Sequence, residues 1–65
     1  MDRYIAYAVI SGVTLAETAA HNDIESATAE ALRKMKMLHV DDATLVFTNT
    51  RGKYIDATSV NLNLH

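Results

Sequence analysis

The 65-residue chain has no cysteine, no proline and no tryptophan, and only two glycines. Without cysteine there is no disulfide framework and no thiolate zinc site, in keeping with a reducing compartment. Without proline, nothing marks a linker or an enforced break. Gly12 and Gly52 are too few for a phosphate-cradling loop, and turns claim both. No run approaches the roughly 20 apolar residues of a membrane-spanning helix. Met1-Asp2-Arg3 does not open as a signal peptide does, so cytoplasmic residence away from the membrane is expected. Positive charge is scarce as well. Six Lys and Arg stand against eight Asp and Glu, a net charge of −2 at pH 7 that argues against a dedicated nucleic-acid binder.

Apolar residues are plentiful, at 49% of the chain, which excludes a disordered segment and indicates one domain over residues 1–65. A domain this small buries only about 60% of the surface its unfolded chain exposes. With neither disulfide nor metal in prospect, self-association as a homodimer is the expected further support.

The organising element is Asn22 to Leu38. Ile24, Ala27, Ala31, Met35 and Leu38 recur at steps of three and four, the period of a helix with one buried stripe. Asn22 or Asp23 can cap it, with Glu25 as capping-box partner of Asn22, and the acidic-to-basic order of its charges suits the helix dipole. Ahead of it, Arg3 to Ile10 reads as a strand apolar on both alternate faces, so both are covered or one meets a partner. Ser11-Gly12 makes a two-residue hairpin turn. Val13 to Ala20 reads either as a second strand, with Ile10 opposite Val13, Ala8 opposite Leu15 and Ala6 opposite Glu17, or as a helix opened by Thr14 and Glu17. After the helix, Ala43 to Thr48 and Lys53 to Val60 read as strands joined by Asn49-Thr50-Arg51-Gly52. That loop length sets Phe47 opposite Tyr54 and Val46 opposite Ile55. Asn61 to His65 alternates and extends the last strand. The expected fold is α+β, ββαββ, with one helix across an antiparallel four-stranded sheet.

The alternative fold carries a function. If residues 14 to 20 are helical, LAETAAHNDIESATAEAL resembles the helix-turn-helix of bacterial and phage regulators, and the later hairpin becomes the wing of a DNA-binding winged helix. Against it, Asp23 stands where that turn usually has glycine, and no first helix precedes the motif. Glu25 and Glu30 would also be turned toward phosphates.

Chemistry-bearing residues do not converge. His39, Asp41 and Asp42, with His21 or His65, could be imagined as metal ligands, but their spacing matches no established site and no metal is expected. No Ser or Thr is tied by spacing to a His and a carboxylate. Glu17 and Asp56 could serve as general bases on strands, though a strand carboxylate facing water explains them as well. Neither catalytic residues nor cofactors are expected. Basic residues cluster between 33 and 53, yet the Arg51-Gly52-Lys53 turn and the helix C-terminus fall at opposite ends of a ββαββ domain. Glu30 and Lys34 are spaced to pair across one helical turn.

The strand pair, helix, strand pair running across nearly all 65 residues resembles, in size and architecture, small phage and mobile-element proteins, including anti-CRISPR proteins. That resemblance implies a single-domain inhibitor that binds a larger host complex. It has no diagnostic motif, so no residue role transfers. LVFTNTRGKYID also resembles a strand-turn-strand of uncharacterised bacterial domains. The expected role is a non-enzymatic protein-binding module, inhibitor or adaptor, with a DNA-binding regulator or a small-ligand-binding homodimer as alternatives. Candidate contact residues are Tyr7, Phe47, Arg51, Lys53 and Tyr54, and an exposed edge at residues 3 to 10 or 53 to 64 suits sheet-to-sheet pairing.

Overall fold

A computed structural model describes residues 2–63 and contains five elements. They are β1 (Tyr4–Ile10), β2 (Val13–Glu17), α1 (Ile24–Met37), β3 (Asp42–Asn49) and β4 (Tyr54–Asn61). The sheet order is β2-β1-β3-β4 with every neighbouring pair antiparallel, the expected ββαββ arrangement. Val13–Glu17 is a strand, which removes the helix-turn-helix alternative. Beyond it the chain stays paired to β1. Thr18 N–H donates to the Ala6 carbonyl at 2.9 Å, Thr18 Oγ1 accepts the Ala6 N–H, and Tyr4 and His21 exchange backbone hydrogen bonds. His65 and the last residue of the alternating tail before it lie outside the described residues.

Strand β1 lies between β2 and β3, which makes residues 3 to 10 central and leaves β4 as the long edge. Because β2 and β3 run parallel on either side of β1, α1 crosses over β1 to join them. Four of the seven core residues are alanines. Ala6 and Ala8 of β1 meet Ala27 and Ala31 of α1, flanked by Met35, Leu45 and Phe47. Small side chains on both sides let the helix axis settle close to the sheet. One helix is about 10 Å across, whereas strands are spaced about 4.8 Å apart. A helix centred on β1 therefore packs on β1, β2 and β3, and β4 is left uncovered.

Local chemistry sets the ends of the elements. Asp23 caps α1 by accepting the Ser26 N–H at 2.7 Å, so the third helical position holds Ser26 and Glu25 takes no part in a capping box. At the other end Val40 N–H donates to the Met35 carbonyl and His39 N–H to that of Lys36, a Schellman closure that packs Val40 against the core. Leu38, expected in the buried stripe, is the C-cap and is exposed. His39 occupies the left-handed position, at φ 58°, where glycine is the unstrained choice. His39→Gly is expected to stabilise the fold by about 0.5–1 kcal/mol after allowing for the greater freedom of the unfolded chain. The check is a melting temperature raised by a few degrees.

Both hairpins depart from the simplest register. Ser11 and Gly12, at φ 50° and 78°, form the expected two-residue turn and pair Ile10 with Val13. A bulge then inserts Leu15, so Ala8 faces Ala16 and Tyr7 faces Glu17. In the second hairpin Asn49 N–H donates to the Lys53 carbonyl, leaving a three-residue loop in place of four. Its side chain accepts the N–H groups of Arg51 and Lys53, and Gly52 sits at φ 81°. A second bulge at Ile55 completes a two-residue shift. Phe47 faces Asp56 and Tyr54 faces Thr48, in place of the Phe47–Tyr54 and Val46–Ile55 pairs expected from loop length.

Candidate protein-binding face

Side chains alternate across a strand, so the register divides the sheet into two faces. Ala6, Ala8, Leu45 and Phe47 point at the helix. Ile5, Tyr7 and Val9 of β1 and Thr44, Val46 and Thr48 of β3 point the other way, where no element packs. On β4, Ala57 and Ser59 join that open face by their pairing with Val46 and Thr44. Tyr54 joins it opposite Thr48, and the bulge leaves Ile55 without a cross-strand partner between Tyr54 and Asp56. Tyr54 is 60% exposed and Ile55 42%. Among the described residues this face carries two carboxylates, Glu17, which the register brings beside Tyr7, and Asp42, paired with Asn61 at the far end of β3. Thr48, cross-strand from Tyr54, holds its hydroxyl out of solvent with no hydrogen-bond partner among the described residues.

The five candidate contact residues separate accordingly. Tyr7 and Tyr54 share the open face. Phe47, 3% exposed, is a core residue by its alternation with Leu45 on β3, and the bulge leaves Tyr54 on the opposite face from it. Arg51 and Lys53 are exposed at the turn beyond β4, and neither forms an ion pair among the described residues. Ile5, Val9 and Val46 share this surface and were not among the candidates. Their signal was the apolar residue on both alternate faces of residues 3 to 10 and of the second hairpin.

Titratable groups meet at one place, and there they hold the fold together. Glu30 of α1 lies 2.6 Å from His21 Nε2 and 3.3 Å from Lys34 Nζ, and it accepts the Ala19 N–H at 3.3 Å. Lys34 also donates to the Glu17 carbonyl, so the cluster ties α1 to the chain that leads out of β2. The hydrogen bond from His21 holds the Glu30 carboxyl below its ordinary value; partial burial opposes it, and Lys34 and the Ala19 N–H add to the lowering. Asp23 is lowered chiefly by the Ser26 N–H. A carboxylate of lowered pKa stabilises the fold fully above its unfolded value and loses that contribution as pH falls through its folded value. Acid below the ordinary carboxylate range is therefore expected to lower the melting temperature. Glu30→Gln should flatten that dependence in part, with Asp23 supplying the remainder; an unchanged slope would remove Glu30 from the acid response.

Other features offer less chemistry. Among the described residues no three His, Asp or Glu are placed to hold a metal ion, His39, Asp41 and Asp42 included. No described helix is long and apolar enough to cross a membrane. A shallow hollow of about 320 Å³ lies where Leu15 and Ala16 of β2 meet Lys34, Met37 and Leu38. No protein-family model, curated protein or solved structure matches the chain, so the face is read from its own residues alone.

Proposed function

We infer that the chain is a non-enzymatic, cytoplasmic protein-binding module of inhibitor or adaptor type that lays the open face of its sheet against a larger protein. The observation that carries this reading is the one-sided cover. A single helix shields one face, and the other presents Ile5, Tyr7, Val9, Val46 and Tyr54, with the carboxylates of Glu17 and Asp42 at its margins. Apolar area rich in tyrosine and poor in charge is the composition of an interface centre, where aromatic anchors contribute most of the affinity. The matching partner surface is apolar and weakly charged, with hydrogen-bonding groups for the tyrosine and threonine hydroxyls. The engagement of His21, Glu30 and Lys34 with one another and with backbone favours a structural role for the one titratable cluster.

The test is a tagged pull-down from bacterial lysate, run with and without nuclease, followed by reconstitution of any stoichiometric partner with purified protein. Tyr54→Ala, the loss of one anchor, and Ala57→Glu, a charge set into the face, are expected to weaken the purified complex at least about tenfold, while the melting temperature stays close to wild type. An affinity indifferent to both changes would discard the face. Recovery of nucleic acid that is lost on raising the salt would replace the reading with a nucleic-acid-binding one.

A further inference from the structure

Strand β4 differs from every other strand in having neither a helix above it nor a strand beyond it. Its residues from Tyr54 to Ser59 are all exposed. The backbone on its outer side can be assigned. Leu62 N–H donates to the Asp41 carbonyl at 2.8 Å, and bonding alternates along an antiparallel ladder. Residues 56, 58 and 60 thus bond β3, whereas Ala57, Ser59 and Asn61 turn their N–H and C=O groups outward. Long edges of this kind are usually blunted by lysine or proline. Here the sole charge on the strand is Asp56, whose carboxylate accepts the outward N–H of Ala57 at 2.8 Å. The opposite edge, β2, is five residues long and bulged, a poorer template.

We propose that β4 pairs antiparallel with β4 of a second copy, joining two sheets into one of eight strands about a two-fold axis near Thr58. Outward groups must meet outward groups, so Ala57 of one copy faces Ser59 of the other, the Asp56 carboxylate giving up the Ala57 N–H to the Ser59 carbonyl of the second copy. Charge favours a copy over an unrelated strand. One end of the β4 edge carries Arg51 and Lys53, the other Asp41 and Asp42 next to its last residues. The two-fold reverses one edge against the other, placing Lys53 opposite Asn63 of the second copy. Asn63 already donates to Asp41 at 2.7 Å, so each basic turn lies against the acidic corner of the other chain. The two Asp56 side chains fall four residues apart along the seam, roughly 13 Å at strand rise, beyond the screening length of about 10 Å. Both helices lie on one side, and the two open faces form one continuous surface. This pairing uses the edge and is independent of whether the face binds a partner.

Sedimentation equilibrium on the full chain tests it. Wild type is expected to show a monomer–dimer equilibrium with no higher species. Ser59→Pro removes an outward N–H without touching the β3 ladder and should leave a folded monomer. Lys53→Glu should weaken dimerisation about tenfold, and adding Asp41→Lys should restore most of it, a rescue that a folding defect could not produce. A wild-type monomer, or a dimer unaffected by Lys53→Glu, would overturn the pairing. Partner binding retained by the monomeric variants would leave the binding face standing by itself.

Discussion

Ala31→Asp is expected to abolish cooperative unfolding. Ala31 is 1% exposed, on the helix stripe that rests against the alanines of β1. An aspartate there would have to bury an unpaired carboxylate or lift the helix off the sheet. An uncompensated buried charge costs about 3–5 kcal/mol. At about 0.05–0.15 kcal/mol per residue, a domain of this length has about 3–10 kcal/mol in total. The charge alone can consume that margin. Circular dichroism should show a chain without a sharp melt. Ala29→Asp, on the exposed side of the same helix, is the control and should melt near the wild-type temperature. If the two variants melt alike, the helix faces the sheet by a different stripe.

Phe47→Ala has the next largest expected effect, and it separates core from contact surface. Phe47 and Leu45 are the inward residues of β3, and truncating a buried phenylalanine typically costs about 3–5 kcal/mol. Much of the domain's stability would go, with a cavity left among side chains too small to close it. Tyr54→Ala, at a position 60% exposed, should cost under about 1 kcal/mol. Chemical denaturation of the two variants decides the matter. A mild Phe47 variant beside a severe Tyr54 variant would mean that the bulge at Ile55 is misplaced and the two rings share a face.

That bulge marks where sequence reading stopped. Helix α1 was legible because its signals are local. In the stripe of Ala27, Ala31 and Met35, in the Asp23 cap on Ser26 and in the Glu30–Lys34 pair, each residue stands no more than four positions from the next one it works with. The turn at Ser11-Gly12 was legible for the same reason. By contrast, whether Val13–Glu17 is strand or helix depends on the free edge of β1, which no local pattern reports. His21 and Glu30 meet only because the chain leaving β2 stays paired to β1 until His21. Of the candidate contact residues, Tyr7 and Tyr54 lie on the open face and Phe47 lies in the core. The shorter loop and the bulge each shift the register by one residue, so Tyr54 changes face while residues from Asp56 on keep theirs.

By itself the sequence determined the helix with its stripe of Ala27, Ala31 and Met35, the turn at Ser11-Gly12, the place of the second turn and the absence of thiol chemistry. These follow from backbone preference and periodicity within a few residues. Only the tertiary structure decided that β1 is central and β4 an edge, that Phe47 is core, and that one face of the sheet is left bare. Those outcomes follow from where a single helix about 10 Å wide comes to rest on four strands, and from two bulges whose positions depend on how the strands settle against each other.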